Sequence, residues 1–225
     1  VNAEADLFAA IDAADDGTVE RLLATDPTIA SARDEDDVSA VMHALYRGHR
    51  KTAETIAAAL SDLDVFEAAG LGRARDVLRL ITADRSLATA WSADGFTALH
   101  YAAFFGDGAT AETLLKAGAD PDVRSRNEFA VMPLHSAVAG RRHDVVVTLV
   151  AAGADVNVAQ RHGYTPLLGA AENGDAETVD LLLGAGADSS ARTDDGRGAA
   201  DLARAGGHES VADRLDSGER ERTSR

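Results

Sequence analysis

The stretch Gly163-Tyr164-Thr165-Pro166-Leu167-Leu168-Gly169-Ala170-Ala171-Glu172-Asn173-Gly174-Asp175-Ala176-Glu177-Thr178-Val179-Asp180-Leu181-Leu182-Leu183-Gly184-Ala185-Gly186-Ala187-Asp188 reads as two short helices and their turns. Thr165 offers a hydroxyl to an orphan amide, and Pro166 then falls at the first helical position, where a missing N–H costs nothing. Ala170 and Ala171 carry almost no side chain, so this helix can approach a neighbour closely, and Gly174 gives an unhindered stop. Val179, Leu182 and Leu183 supply an apolar stripe to the second helix, and Gly186 suits a left-handed C-cap. One such pair cannot bury both its apolar faces, so the stretch demands copies of itself on either side.

The copies are present. Leu99 to Asp120, Leu134 to Asp155 and Leu167 to Asp188 align without gaps, anchor and Asp being 21 residues apart each time. Extending the register gives anchors at Leu7, Val41, Val65, Leu99, Leu134, Leu167 and Ala200, with spacings of 34, 24, 34, 35, 33 and 33. Seven units follow, at about 4–37, 38–61, 62–93, 94–128, 129–161, 162–194 and 195–215, in one array over 4–215, with 216–225 expected as a disordered tail. The second unit is truncated, so its second helix near 50–60 must run through Ser61-Asp62-Leu63-Asp64 into the next unit with no room for a projecting turn.

These residues resemble the ankyrin repeat family, whose unit reads roughly G-x-T-P-L-H-x-A-A-x-x-G-H and closes on L-L-x-x-G-A-D. Gly95-Phe96-Thr97-Ala98-Leu99-His100 with Ala102-Ala103 and Gly106-Asp107 carries the pattern, as do Met132-Pro133-Leu134-His135 and the stretch from Gly163. Arg141 stands where the pattern has Gly, Leu168 where it has His, and Gly198-Ala199-Ala200-Asp201 is degenerate, as a terminal capping unit requires. The resemblance implies an all-α solenoid of stacked helix pairs with hairpin fingers, and a non-enzymatic module that grips a protein on the concave face of fingers and inner helices, with no cofactor or metal.

Composition bounds the rest. A chain of 225 residues with 45% hydrophobic content is too apolar to stay disordered, and no Cys means no disulfide, thiolate metal site or cysteine nucleophile. Thirty-eight acidic residues against 22 basic ones give a net charge of −16, which repels a phosphate backbone and turns the reading away from nucleic acid. With no signal-like start and no apolar run of membrane length, the expectation is a cytoplasmic monomer without membrane contact. Lys51 and Lys116 are the only lysines while Arg and Ala abound, a bias that fits a GC-rich bacterial source.

No H-E-x-x-H, G-x-S-x-G or P-loop spacing occurs. His100 and His135 fall on the family's T-P-L-H position, and His49 and His208 on its G-H position, where hydrogen bonding between turns accounts for them. The run Asp34-Glu35-Asp36-Asp37 lacks the glycine and terminal Glu of a calcium loop and reads as a solvated loop.

The aromatic residues are placed less innocently. The chain has ten, and Tyr46, Phe96, Phe104, Phe105, Phe129 and Tyr164 fall where the family's binding surface faces outward, with Arg124, Arg126, Arg161 and Arg192 on the fingers as a basic rim. His162 joins them beside Tyr164. Two readings stand: a partner-binding groove, since hot spots favour such side chains, or a core in which Phe104 and Phe105 fold over neighbouring helices as Tyr101 does. Within the binding class the acidity points to an inhibitor or immunity-type factor neutralising one basic enzyme; the enzyme alternative is an active site around Arg161, His162 and Tyr164.

Overall fold

A computed structural model describes residues 2–223, the last six by backbone alone. The described residues form fourteen α-helices in seven antiparallel pairs: α1 (Ala3–Asp12) with α2 (Asp16–Thr25), α3 (Ala40–Tyr46) with α4 (Arg50–Ala59), α5 (Val65–Gly70) with α6 (Ala74–Ala83), α7 (Ala98–Phe104) with α8 (Gly108–Lys116), α9 (Pro133–Ala139) with α10 (His143–Ala151), α11 (Pro166–Glu172) with α12 (Ala176–Gly184), and α13 (Ala199–Ala205) with α14 (Glu209–Thr223). The odd-numbered helices stack on one another as an inner row, and most even-numbered ones pack on their neighbours outside. The main helix-to-helix contacts run between adjoining pairs, which makes the molecule a solenoid.

Local chemistry sets each element. Thr165 Oγ1 accepts from the Leu168 amide at 3.4 Å, and Asp175, Asp107 and Asp15 cap the outer helices α12, α8 and α2 in the same way. Alanines on the inner helices, Ala40, Ala44, Ala68, Ala102, Ala137, Ala170 and Ala203, are fully buried, and their small size sets the spacing of the inner row. Leu114, Val145, Leu149, Val179 and Leu182 on the outer helices fill the layer behind, each worth roughly 1.5 to 3 kcal/mol of burial. α8, α10 and α12 end alike: Gly118, Gly153 and Gly186 have φ of 101°, 87° and 93°, and the next amide reaches back five residues to the carbonyls of Leu114, Leu149 and Leu182.

The fingers are tight turns over 34–38, 92–96, 125–131, 160–164 and 193–197, each closed by a backbone bond between its end residues. The ladder is minimal: isolated antiparallel bridges join Arg33 to Ser39 and Trp91 to Thr97, and no strand is formed among the described residues. Between α4 and α5 residues 60–64 make no such turn. Asp64 instead caps α5 at once, its Oδ1 accepting from the Phe66 and Glu67 amides at 2.8 Å while Glu67 Oε2 accepts from the Asp64 amide at 2.9 Å.

At the C-terminal end the expectation of a disordered tail from 216 gives way to helix through Thr223; residues 224 and 225 lie outside the described residues. Leu215 is buried, Arg204 Nη2 meets Asp216 Oδ2 at 2.6 Å, and Ser217 donates to the Asp213 carbonyl, so α14 is anchored past the point where the apolar pattern stops.

Candidate functional site

Five of the aromatics singled out above converge on one hollow of about 390 Å³ on the concave side, lined by Tyr46, Phe96, Phe104, Phe105 and Phe129 together with Tyr101, His100, Val131, His135, Ser136, Ala139 and Gln160. No lining residue is a carboxylate, lysine or arginine. The inner helices place Tyr46 and Phe104 at the ends of α3 and α7, and the turns place Phe96 and Phe129 above them. Tyr46, Phe104 and Phe129 are 45%, 38% and 56% exposed. Phe105 is a correction: expected beside Phe104 on the open surface, it is only 9% exposed, held edge-on between Phe104 at 4.7 Å and Tyr46 at 5.4 Å between ring centres. The core reading holds for Phe105 and Tyr101, and the surface reading for Phe104.

Tyr101 is the hub. Its ring packs edge-on against Phe66 and Phe96, both at 5.8 Å, and against Tyr46 at 6.4 Å. Its hydroxyl and that of Tyr46 both donate to the Asp94 carboxylate, to which Ser92 Oγ also donates at 2.5 Å. Burial, reinforced by the Asp94 carboxylate, raises the pKa of both phenols, so they remain donors. Tyr46 belongs to the second unit and Asp94 to the fourth; the small Gly70 of α5 lies between, its missing Cβ leaving Leu45 and Met42 room to pack.

Tyr164 lines an adjoining hollow of about 230 Å³ that shares His135, Ala139 and Gln160 with the first, and its hydroxyl donates to Glu172 Oε1 at 3.2 Å. The open basic rim is replaced by internal ties. Arg124 Nη1 donates to the Ala130 carbonyl of its own turn at 2.9 Å, Arg126 lies over the Trp91 ring at 4.0 Å, and Arg161 Nη1 donates to the Glu128 carbonyl of the preceding turn at 2.9 Å. Arg192 binds the carbonyls of Ser190 and Ala191. His162 sits at φ 61°, its ring mostly exposed and 3.9 Å from Asp194, outside both hollows. Of the three residues of the enzyme alternative, Tyr164 lines the second hollow, while Arg161 and His162 line neither of the two.

His100 and His135 act as struts. Nδ1 of His100 accepts from the Thr97 amide at 3.2 Å, and its Nε2–H donates to the Val131 carbonyl of the next turn at 3.1 Å; His135 reaches the Tyr164 carbonyl at 3.2 Å. Burial pushes both down to about 4, so each imidazole is neutral near pH 7.

Against known proteins, the family model described as ankyrin repeats (3 copies) matches twice in succession, over residues 7–125 and 122–193. The chain belongs to the ankyrin-repeat family. A stretch of 123 residues is 37% identical to the tyrosine-protein kinase Shark of Drosophila melanogaster, covering 54% of this chain and 13% of that protein. The nuclear factor NF-kappa-B p105 subunit of Gallus gallus is 33% identical over 112 residues, 48% of this chain and 11% of that one. The RelA-associated inhibitor of Mus musculus is 39% identical over 66 residues, 29% and 8% of the two chains. The chain thus spans about a tenth of the length of these relatives, and what they share with it is the repeat array. Ankyrin repeats are non-enzymatic units that mediate protein–protein interaction, and no helix among the described residues is long and apolar enough to cross a membrane.

Proposed function

We propose that this ankyrin array binds a protein partner through the concave hollow around Tyr46, Phe104 and Phe129, without catalysis. One observation carries the reading. Among the described residues the exposed large apolar side chains are Tyr46, Leu78, Phe104, Phe129 and Val147, and all three aromatics in that set ring a single uncharged hollow. Fold stability gains little from a half-exposed Phe104 or Phe129, whereas desolvating two aromatic rings on a partner supplies the energy of a hot spot. A relative named as a RelA-associated inhibitor fits a role in which such an array occupies a protein surface.

Phe104→Ala with Phe129→Ala tests it, and spares buried Phe105. The double variant is expected to keep the helical circular dichroism and melting curve of the parent and to weaken partner binding by about 2 kcal/mol or more. Partners are captured from native extract on parent and variant columns. Equal capture on both would move the interface elsewhere.

The charge of −16 favours a second, narrower version in which the partner is one basic enzyme that the array inhibits. That version requires association that slows steeply as salt rises, and loss of the enzyme's activity on binding.

A further inference from the structure

Between the second and third units, where the turn is missing, the row of fingers has a gap. A cleft of about 410 Å³ opens there, walled on one side by Arg33 with Asp37 and Val38 of the 34–38 turn and on the other by Trp91 with Ser92 to Asp94 of the 92–96 turn. Asp64 and the ring of Phe66, which cap and open α5, lie at its base, and Tyr101 separates it from the apolar hollow. Elsewhere in the array neighbouring fingers are tied together: the Arg126 amide donates to the Gly95 carbonyl, the Arg161 guanidinium to the Glu128 carbonyl and the Asp194 amide to the His162 carbonyl. In the gap that tie is missing.

The electrostatics of the gap are lopsided. Three carboxylates, Asp37, Asp64 and Asp94, face one guanidinium, Arg33, which lies 3.8 Å from Asp37 and 3.2 Å from Asp64. Asp94 has no ion pair among the described residues; its donors are the neutral hydroxyls of Tyr46, Tyr101 and Ser92. Aromatic faces flank these acids, and the chain itself uses one of them for a cation, since Arg126 lies over Trp91. A carboxylate beside aromatic faces suits a guanidinium, which pairs with the one and stacks on the others.

We infer that the gap left by the missing finger is a second recognition cleft, and that it takes an arginine side chain from the same partner segment whose large apolar residue enters the adjoining hollow. This rests on the hollow being the binding site, and it names the partner's chemistry: an extended segment with an arginine near a leucine, methionine or aromatic residue. The two subsites share a wall, Tyr101, and both touch the Asp94 network, so a single short segment reaches both.

The test uses a displayed library of random twelve-residue peptides selected on the full chain, with selected peptides measured by fluorescence anisotropy. Enriched sequences are expected to pair an arginine with a large apolar residue. Replacing that arginine by alanine should weaken binding about tenfold to the parent and under twofold to Asp94→Asn, which loses the charge while its Oδ1 still accepts from the Ser92 and Tyr101 hydroxyls and its amide donates to the Tyr46 oxygen. Asp37→Asn, at a residue with φ 62° that asparagine tolerates, gives the same comparison should Asp94→Asn fail to fold. Peptides without basic residues, bound equally by the parent and both Asn variants but lost by Phe104→Ala with Phe129→Ala, would overturn the arginine cleft and leave the hollow intact. Peptides lost by the Asn variants but not by the double Phe variant would overturn the hollow instead. Failure to select any motif would overturn the claim that a short segment is recognised.

Discussion

At the scale of single residues, backbone handedness divides substitutions that matter from those that do not. Gly153 has φ of 87° and open space around its Cα, so Gly153→Val carries the left-handed cost alone, expected at about 1 to 2 kcal/mol in urea unfolding. An unchanged midpoint would show that the turn relaxes out of that region. Arg141, at φ 55°, occupies the left-handed position that Gly48, Gly72, Gly174 and Gly207 take in other units, and the Arg142 amide reaches back to the Ala137 carbonyl as a glycine-bearing turn would. Arg141→Gly should therefore raise stability, by up to about 1 kcal/mol after the entropy of the added glycine is subtracted. The departure of Arg141 from the repeat pattern was plain in the sequence, and so was the turn it had to make.

At the scale of elements, the histidine struts tie each inner helix to the finger after it, and the tie is pH-dependent. His100 and His135 bind a proton only near pH 4 when folded but near 6.5 when unfolded. Their contribution is whole above pH 6.5 and falls as pH drops toward 4, by about 2 kcal/mol for each by pH 5. Buried Glu67, whose pKa burial raises, gains stability in the acid direction and partly offsets this. The clean measurement is a difference: the loss in unfolding free energy between pH 7 and pH 5 should be smaller in His135→Gln than in the parent. Equal losses would mean that His135 protonates in place. The struts were legible from their place in the repeat, and the helix pairs from alanine, leucine and glycine spacing. The extent of α14 was not, because the apolar pattern stops at Leu215 and a polar tie such as Arg204 to Asp216 leaves no periodic mark in the sequence. Nor was the fate of Phe105, since neighbouring positions at a helix end differ in exposure only through the turn that follows. The arginine ties were hidden for a related reason: a finger sequence does not show which carbonyl or ring, of its own turn or of the one before, lies within reach.

For the whole molecule, helix contacts that run mainly between adjoining pairs, with Tyr46 and Arg50 reaching one pair further across the missing turn, predict an elongated particle. Small-angle scattering should give a radius of gyration well above the roughly 17 Å of a compact chain of this length; a value at that figure would exclude the open stack. The same packing makes the ends separable from the middle: a core substitution such as Leu149→Ala, costing about 2 to 5 kcal/mol, should unfold the neighbours of α10 before α1 and α2, seen as unequal loss of amide protection. The missing finger belongs to this scale too. A spacing of 24 in place of 34 removes ten residues from a projecting turn while both flanking helices keep their contacts with the inner row. Loss of a loop in such an array thus leaves the stack of helices standing, and length variation between helices reshapes the row of fingers without rebuilding the core beneath it.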